Sequence, residues 1–243
     1  MMKYAAIIAA VLVLFLIACQ PAAPAAPAAP APQPAAPAEQ PPAAVEPGPT
    51  PVETKPEPAV SKELQDLLSK ADQRVKSYKY LELILPDKKQ PDTIYVKGSR
   101  IKIKLYEYDP YVPENYFDTV YLETSTKTAV GRCESNKRCV WRNGDNTKKD
   151  FPVSYDKYLP KTPYQMLKDI PATATVLGPE VHESRETTKV QYGMGDKTVT
   201  AWIDVSYGIP LEMREEPAGK TYKFNDVLFN TIKDEDVTPP KIS

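Results

Sequence analysis

Histidine is almost absent from this chain. His182 is the only one in 243 residues, and cysteine occurs three times. A zinc centre needs a full set of nitrogen and sulfur ligands, so ligand supply argues against one. Glycine is scarce too, at nine residues, and no phosphate-cradling Gly loop is present. Net charge is −1, with Lys and Arg interspersed among Asp and Glu, so the concentrated basic face that nucleic acid requires is missing. Long apolar runs are lacking as well. The longest, residues 5–17, rises only about 20 Å as a helix, against a roughly 30 Å hydrocarbon core. No internal repeat is found.

That short run is informative for another reason. Lys3 precedes it, and it ends in Leu16-Ile17-Ala18-Cys19, the pattern of a lipobox. An apolar segment engages the secretion machinery, small Ala18 admits the peptidase, and the Cys19 thiol carries a thioether-linked lipid. Residues 1–18 then form a lipoprotein signal peptide, and all that follows Cys19 lies outside the cytoplasm, anchored to the membrane on its periplasmic or cell-surface side. The alternatives are a signal cut elsewhere or an uncleaved anchor, with Cys19 incidental. Residues 19–60 carry Cys19 and then little but Pro and Ala, as in PAAPAAPAAP. Proline fixes φ and removes donors, so this segment reads as a disordered, extended tether; at about 3.1 Å per residue it reaches on the order of 120 Å.

Residues 61–243 suffice for one hydrophobic core and one domain. Cys133 and Cys139, with five residues between them, are an even pair outside the cytosol, and that most simply closes a disulfide. Zinc ligation or a redox pair are the sharper alternatives. Ser61 is placed to cap a helix whose stripe is Leu64, Leu67, Leu68, Ala71, Val75 and Tyr78. Thereafter the period changes to two: Ile101, Ile103 and Leu105 alternate with polar residues, as do Val120 and Leu122. Further β-rich runs lie at 80–85, 93–96, 129–133, 181–192, 198–205, 211–215 and 221–227, and a second short helix at 162–169 has Thr162 as cap and Pro163 in its first position. The expectation is an α+β fold, a curled antiparallel β-sheet (incomplete barrel) closed by the N-terminal amphipathic helix and the second short helix.

The order of tether, helix and strands, the run YVKGSRIKIKLYEY, and above all AWIDVSYGIPLEMREEPAGKTYKFNDVLFNTIKDEDVTPP resemble the LolA-like lipoprotein-carrier superfamily. The points of likeness are Trp202 and Asp204 before a turn with Gly208 and Pro210, a last strand ending near Phe229 and Asn230, and closure on Pro239. The resemblance implies a half-barrel around an apolar cavity that receives acyl chains, lipids or lipoproteins, without catalytic residues or cofactors. Because this chain looks lipid-anchored, an acceptor, surface binding module or sensor is implied over a diffusing shuttle. The cavity candidates are Leu64, Leu68, Ile101, Ile103, Leu105, Val120, Leu122, Trp202 and Met213; alternation alone does not say which face is concave.

Signs of catalysis are few. His182 has no nearby nucleophile motif, and Glu215 and Glu216 are strand neighbours that face opposite ways. Residues 233–236, KDED, read as a solvated turn and not as a metal site. Tyr106, Tyr108, Tyr111 and Tyr116 could form a stacking platform, or simply fill strand surface. Against the lipid-binding expectation stands a non-catalytic extracellular structural or interaction domain whose half-barrel is filled by its own side chains.

Overall fold

The computed structural model describes residues 61–106, 113–142 and 144–242. The signal segment, Cys19, the tether, Tyr108 and Tyr111 fall outside the described residues.

Helix α1 (Lys62–Arg74) begins where its cap predicts: the Leu64 N–H donates to Ser61 Oγ at 3.3 Å, with Glu63 in the first turn and Arg74 in the last. Leu64, Leu67 and Ala71 are buried, and Leu68 and Val75 pack beside them. Tyr78, expected at the end of this stripe, belongs instead to the first strand. Val75 is already extended, and the alternation Tyr78, Tyr80 fits a period of two as well as the helical one.

Strands β1 (Ser77–Leu85), β2 (Asp92–Lys97), β3 (Arg100–Lys104), β4 (Thr119–Glu123) and β5 (Thr128–Arg132) form a meander. After it come α2 (Asn136–Cys139), a small hairpin of β6 (Val140–Trp141) and β7 (Gly144–Asp145), β8 (Phe151–Pro152), α3 (Tyr155–Tyr158) and α4 (Pro163–Leu167). A second meander runs through β9 (Thr175–His182), β10 (Arg185–Met194), β11 (Lys197–Asp204), β12 (Pro210–Glu216) and β13 (Lys220–Phe229). β1 pairs antiparallel with β13, joining the two meanders into one 11-stranded sheet in the order β8-β5-β4-β3-β2-β1-β13-β12-β11-β10-β9. The sheet does not close into a barrel, so β8 and β9 are its edges. This is the incomplete antiparallel barrel with few helices that the sequence led us to expect.

The run 181–192 contains two strands, not one. Glu183 and Ser184, at φ 48° and 67°, make a two-residue hairpin turn between β9 and β10. No Gly, Asn or Pro announces it. β9 extends back through Gly178 and Pro179, which argue against a strand in the interior of a sheet but are tolerated at its edge. The second short helix forms as expected at its start. Thr162 and Gln165 make a reciprocal capping box and Pro163 opens α4, which ends at Leu167.

Cross-strand register defines the face that the helices cover. One row runs Leu122, Ile101, Val96, Tyr78, and the next Val120, Ile103, Ile94, Tyr80. In the second meander Met213, Ala201 and Val190 align in the same way. These residues share one buried cluster with Leu64, Leu67 and Ala71 of α1 and Met166 and Leu167 of α4. The sheet therefore has an inner face, packed under α1 and α4, and an outer face.

Candidate functional site

Over part of the inner face the helices leave space. A cleft of about 460 Å³ opens beyond the ends of β1, β2 and β3, with Ile84, Ile94, Ile103, Leu105 and Phe117 among its apolar lining and residues 157–161 along the opposite wall. A second hollow of about 300 Å³ lies on the other side of the 155–165 segment, against Tyr78, Val96, Ile101 and Tyr164. The first falls in the size range of small-molecule pockets.

One corner of the larger cleft is charged. Glu82, on the inner face of β1, stands opposite Asp92 on β2. They are 4% and 8% exposed. The Lys88 ammonium, brought in from the β1–β2 turn, sits 3.0 Å from Glu82 Oε2 and 2.8 Å from Asp92 Oδ2. The other Asp92 oxygen accepts the Tyr106 N–H at 2.8 Å. Burial raises the Glu82 pKa above its ordinary value, with Lys88 opposing the shift. Burial works against a charged Lys88, but the Glu82 and Asp92 charges prevail and its pKa rises. The triad is held as an ion cluster with one cation for two carboxylates.

The candidate residues divide into three groups. Ile103 and Leu105 line the large cleft, and Ile101 the smaller hollow. Leu64, Val120, Leu122 and Met213 are 3% exposed or less and sit within the packed cluster, with Leu68 beside it. Trp202 is on the wrong face. It is flanked on β11 by Ala201 and Ile203, which point inward, so alternation turns the indole outward, paired across the strand with Glu212. There the Lys189 ammonium lies 4.9 Å and the Arg214 guanidinium 4.7 Å from its ring. Its aromatic character suggested a cavity residue; the small and β-branched neighbours were the better guide.

Sequence reasoning missed Glu82, Lys88 and Asp92 altogether. The available signal was Glu82 at the inner position of the alternating series Tyr78, Tyr80, Glu82, Ile84, a carboxylate where an apolar residue was due.

Cys133 and Cys139 are disulfide-bonded and both buried, closing the loop after β5. Asp118 holds the same loop by accepting the N–H groups of Glu134 and Ser135 at 2.9 and 2.8 Å. Tyr116 is buried in a small cluster with the two half-cystines, whereas Tyr106 is 56% exposed, so these two do not share a platform. His182 is on the outer face, its Nε2 3.5 Å from the fully buried Glu212 carboxylate. Glu215 is buried against Lys197, and Glu216 is exposed. Lys233, Asp234 and Glu235 are exposed and Asp236 is half-buried, and Asp236 accepts the Lys233 N–H at 2.8 Å.

No protein-family model matches the sequence, and no curated protein sequence matches it. Several solved structures are similar. MucB gives a TM-score of 0.43 at 9% identity, over 75% of this chain and 63% of that one. LprF from Mycobacterium bovis gives 0.41 at 13% identity, over 75% and 98%. A putative outer membrane lipoprotein-sorting protein domain from Vibrio parahaemolyticus gives 0.27 at 14% identity, over 73% and 95%. This chain spans under two thirds of the length of the MucB chain. The architecture is an open antiparallel half-barrel with helices on its inner face.

Proposed function

We propose that this protein is an extracytoplasmic lipoprotein, anchored through Cys19 and held off the membrane by the 19–60 tether, that takes an acyl chain of a lipid or lipoprotein into the inner-face cleft as an acceptor, carrier or sensor. The observation that supports this is the cleft itself. It is open, about 460 Å³, and floored by Ile84, Ile94, Ile103 and Leu105 at the point where α1 and α4 leave the half-barrel unfilled. Burying a chain is worth about 0.8 kcal/mol per CH₂, so such a floor supplies useful affinity without any catalytic group.

A specific observation favours a second reading. Beneath α1 the half-barrel is filled by its own side chains: Leu64 and Ala71 are fully buried. A structural or interaction domain would need no more than that.

Leu105→Gln separates the two. Leu105 is half-buried on the cleft wall, so the substitution should cut uptake of a fluorescent acyl probe while costing little stability. Mass spectrometry of the protein under native conditions should also show co-purifying lipid. A parent that binds no acyl probe and carries no lipid establishes the second reading.

A further inference from the structure

The charged corner of the cleft is not something an alkyl chain needs. Two carboxylates, their side chains 5% and 12% exposed, face one ammonium, so the corner carries a net charge of −1. One Glu82 oxygen is taken by Lys88 at 3.0 Å. The cleft's other cations stand on its opposite wall: Lys161 is paired with Asp169 at 2.7 Å, and Lys157 keeps its charge over the Tyr158 ring. A carboxylate or phosphate entering head first would meet a buried negative corner, and burial without a partner is costly for an anion.

Lys88 shows which group the corner does hold. Its side chain is itself an alkyl chain ending in a primary ammonium, seated between Glu82 and Asp92 at 3.0 and 2.8 Å. It arrives from a turn and its side chain is 35% exposed. Moving it into solvent therefore breaks these two contacts without opening the core.

We propose that the cleft selects amphiphiles whose polar end is a primary ammonium, which displaces the Lys88 ammonium and binds between Glu82 and Asp92 while the chain lies along Ile94, Ile103 and Leu105. This rests on the acyl-binding reading of the same cleft and adds its head-group preference. Charge-assisted hydrogen bonds to two carboxylates supply the selectivity. The ammonium could belong to a lipid head group or to the free amine of a lipid-modified peptide.

The test is displacement of a neutral fluorescent monoacylglycerol from the purified protein at neutral pH by dodecylammonium, dodecanol and dodecanoate. The expected order is ammonium, then alcohol, then carboxylate, with about a tenfold span between the extremes, equivalent to about 1.4 kcal/mol. Glu82→Gln should compress this order, and Lys88→Met should strengthen ammonium binding by removing its internal competitor. The parent series needs no variant, so a misfolded mutant does not decide the matter. Dodecanoate binding as well as or better than dodecylammonium overturns the head-group inference and leaves the cleft reading standing; no binding of any chain, the neutral probe included, overturns both. Lysophosphatidylethanolamine and a palmitoylated peptide, the latter with its amine free or acetylated, then separate the sources. Competition by either one, lost on acetylation for the peptide, sustains the proposal; competition by neither counts against it.

Discussion

A Cβ placed on Gly208 would stand 2.3 Å from the backbone carbonyl oxygen of Leu67, so the β11–β12 turn and helix α1 meet at backbone distance. The same turn is fastened to α1 by Lys70, which donates to the Val205 carbonyl at 2.8 Å, and by Arg74, which donates to Ser206 O at 2.8 Å. Helix and sheet are joined here by polar contacts as well as by the leucine stripe.

Gly208→Ala should therefore be strongly destabilising. Gly208 has φ +67°, a conformation that alone costs an L-residue about 1–2 kcal/mol, and the contact with Leu67 adds to it. Gly195 is the natural comparison: φ is +65°, but nothing lies within 4 Å of its Cβ position. Urea unfolding should place Gly195→Ala at about 1 kcal/mol and Gly208→Ala well beyond it. Equal losses would mean that the turn yields and does not pin the helix.

The division of the inner face into filled and unfilled parts gives a second pair. Leu64 is fully buried under the helix, whereas Leu105 borders the cleft. Leu64→Ala should cost about 2–5 kcal/mol, with Leu105→Ala clearly below that range because it already faces open space. Thermal or urea unfolding of the two variants side by side checks it. Comparable losses would show that Leu105 is packed as tightly as Leu64.

What the sequence reveals follows from which signals are local. The Ser61 cap, the Leu64 to Ala71 stripe and the Thr162 capping box depend on neighbours a few residues away, and α1 and α4 start where those signals put them. The alternation of Ile101 and Ile103 with Lys102 gives a face but not its identity, since a half-barrel's inside is fixed only once β1 pairs with β13 across the length of the domain. Trp202 was misplaced for that reason. The β9–β10 turn at Glu183 and Ser184 was hidden because neither residue is the Gly, Asn or Asp that ordinarily takes positive φ in such a turn. The Glu82, Lys88, Asp92 cluster joins a strand, a turn and a second strand, and its meaning as a charged corner appears only when the cleft around it is known.

Reduction of Cys133–Cys139 should loosen the 133–139 loop and spare the core. A closed loop of about seven residues gives a chain-entropy contribution of roughly 2.4 kcal/mol, and Asp118 continues to hold the Glu134 and Ser135 N–H groups when the bond is gone. Both thiols should resist alkylation in the native exported protein and react after mild reduction with circular dichroism unchanged. Loss of the whole fold on reduction would contradict this.

Cys19→Ser should release the protein from membranes without altering the stability of the domain, because some forty Pro/Ala-rich residues separate that position from α1. Detergent-phase partitioning of parent and variant reads the anchor, and urea unfolding reads the domain. Identical partitioning would remove the lipid anchor from the proposed function.

The buried corner makes a pH prediction whose sign is fixed by the direction of one shift. The Glu82 pKa is raised above 4.5 in the folded protein, chiefly by burial and against the pull of Lys88. The folded state thus holds this proton more tightly than the unfolded chain does. The resulting contribution to stability is fully present below the unfolded value and is lost as pH rises through the folded one. Glu82→Gln removes the titration but keeps the shape, and Lys88 retains Asp92 as a partner at 2.8 Å. Relative to the parent, the variant should therefore gain stability as pH rises from about 4.5 toward neutrality, because only the parent has to ionise a carboxyl in the cleft. Urea unfolding of both proteins between about pH 4 and about pH 8 measures the difference. A difference that stays flat, or that turns in favour of the parent as pH rises, would mean that Lys88 and solvent already compensate the Glu82 charge in full.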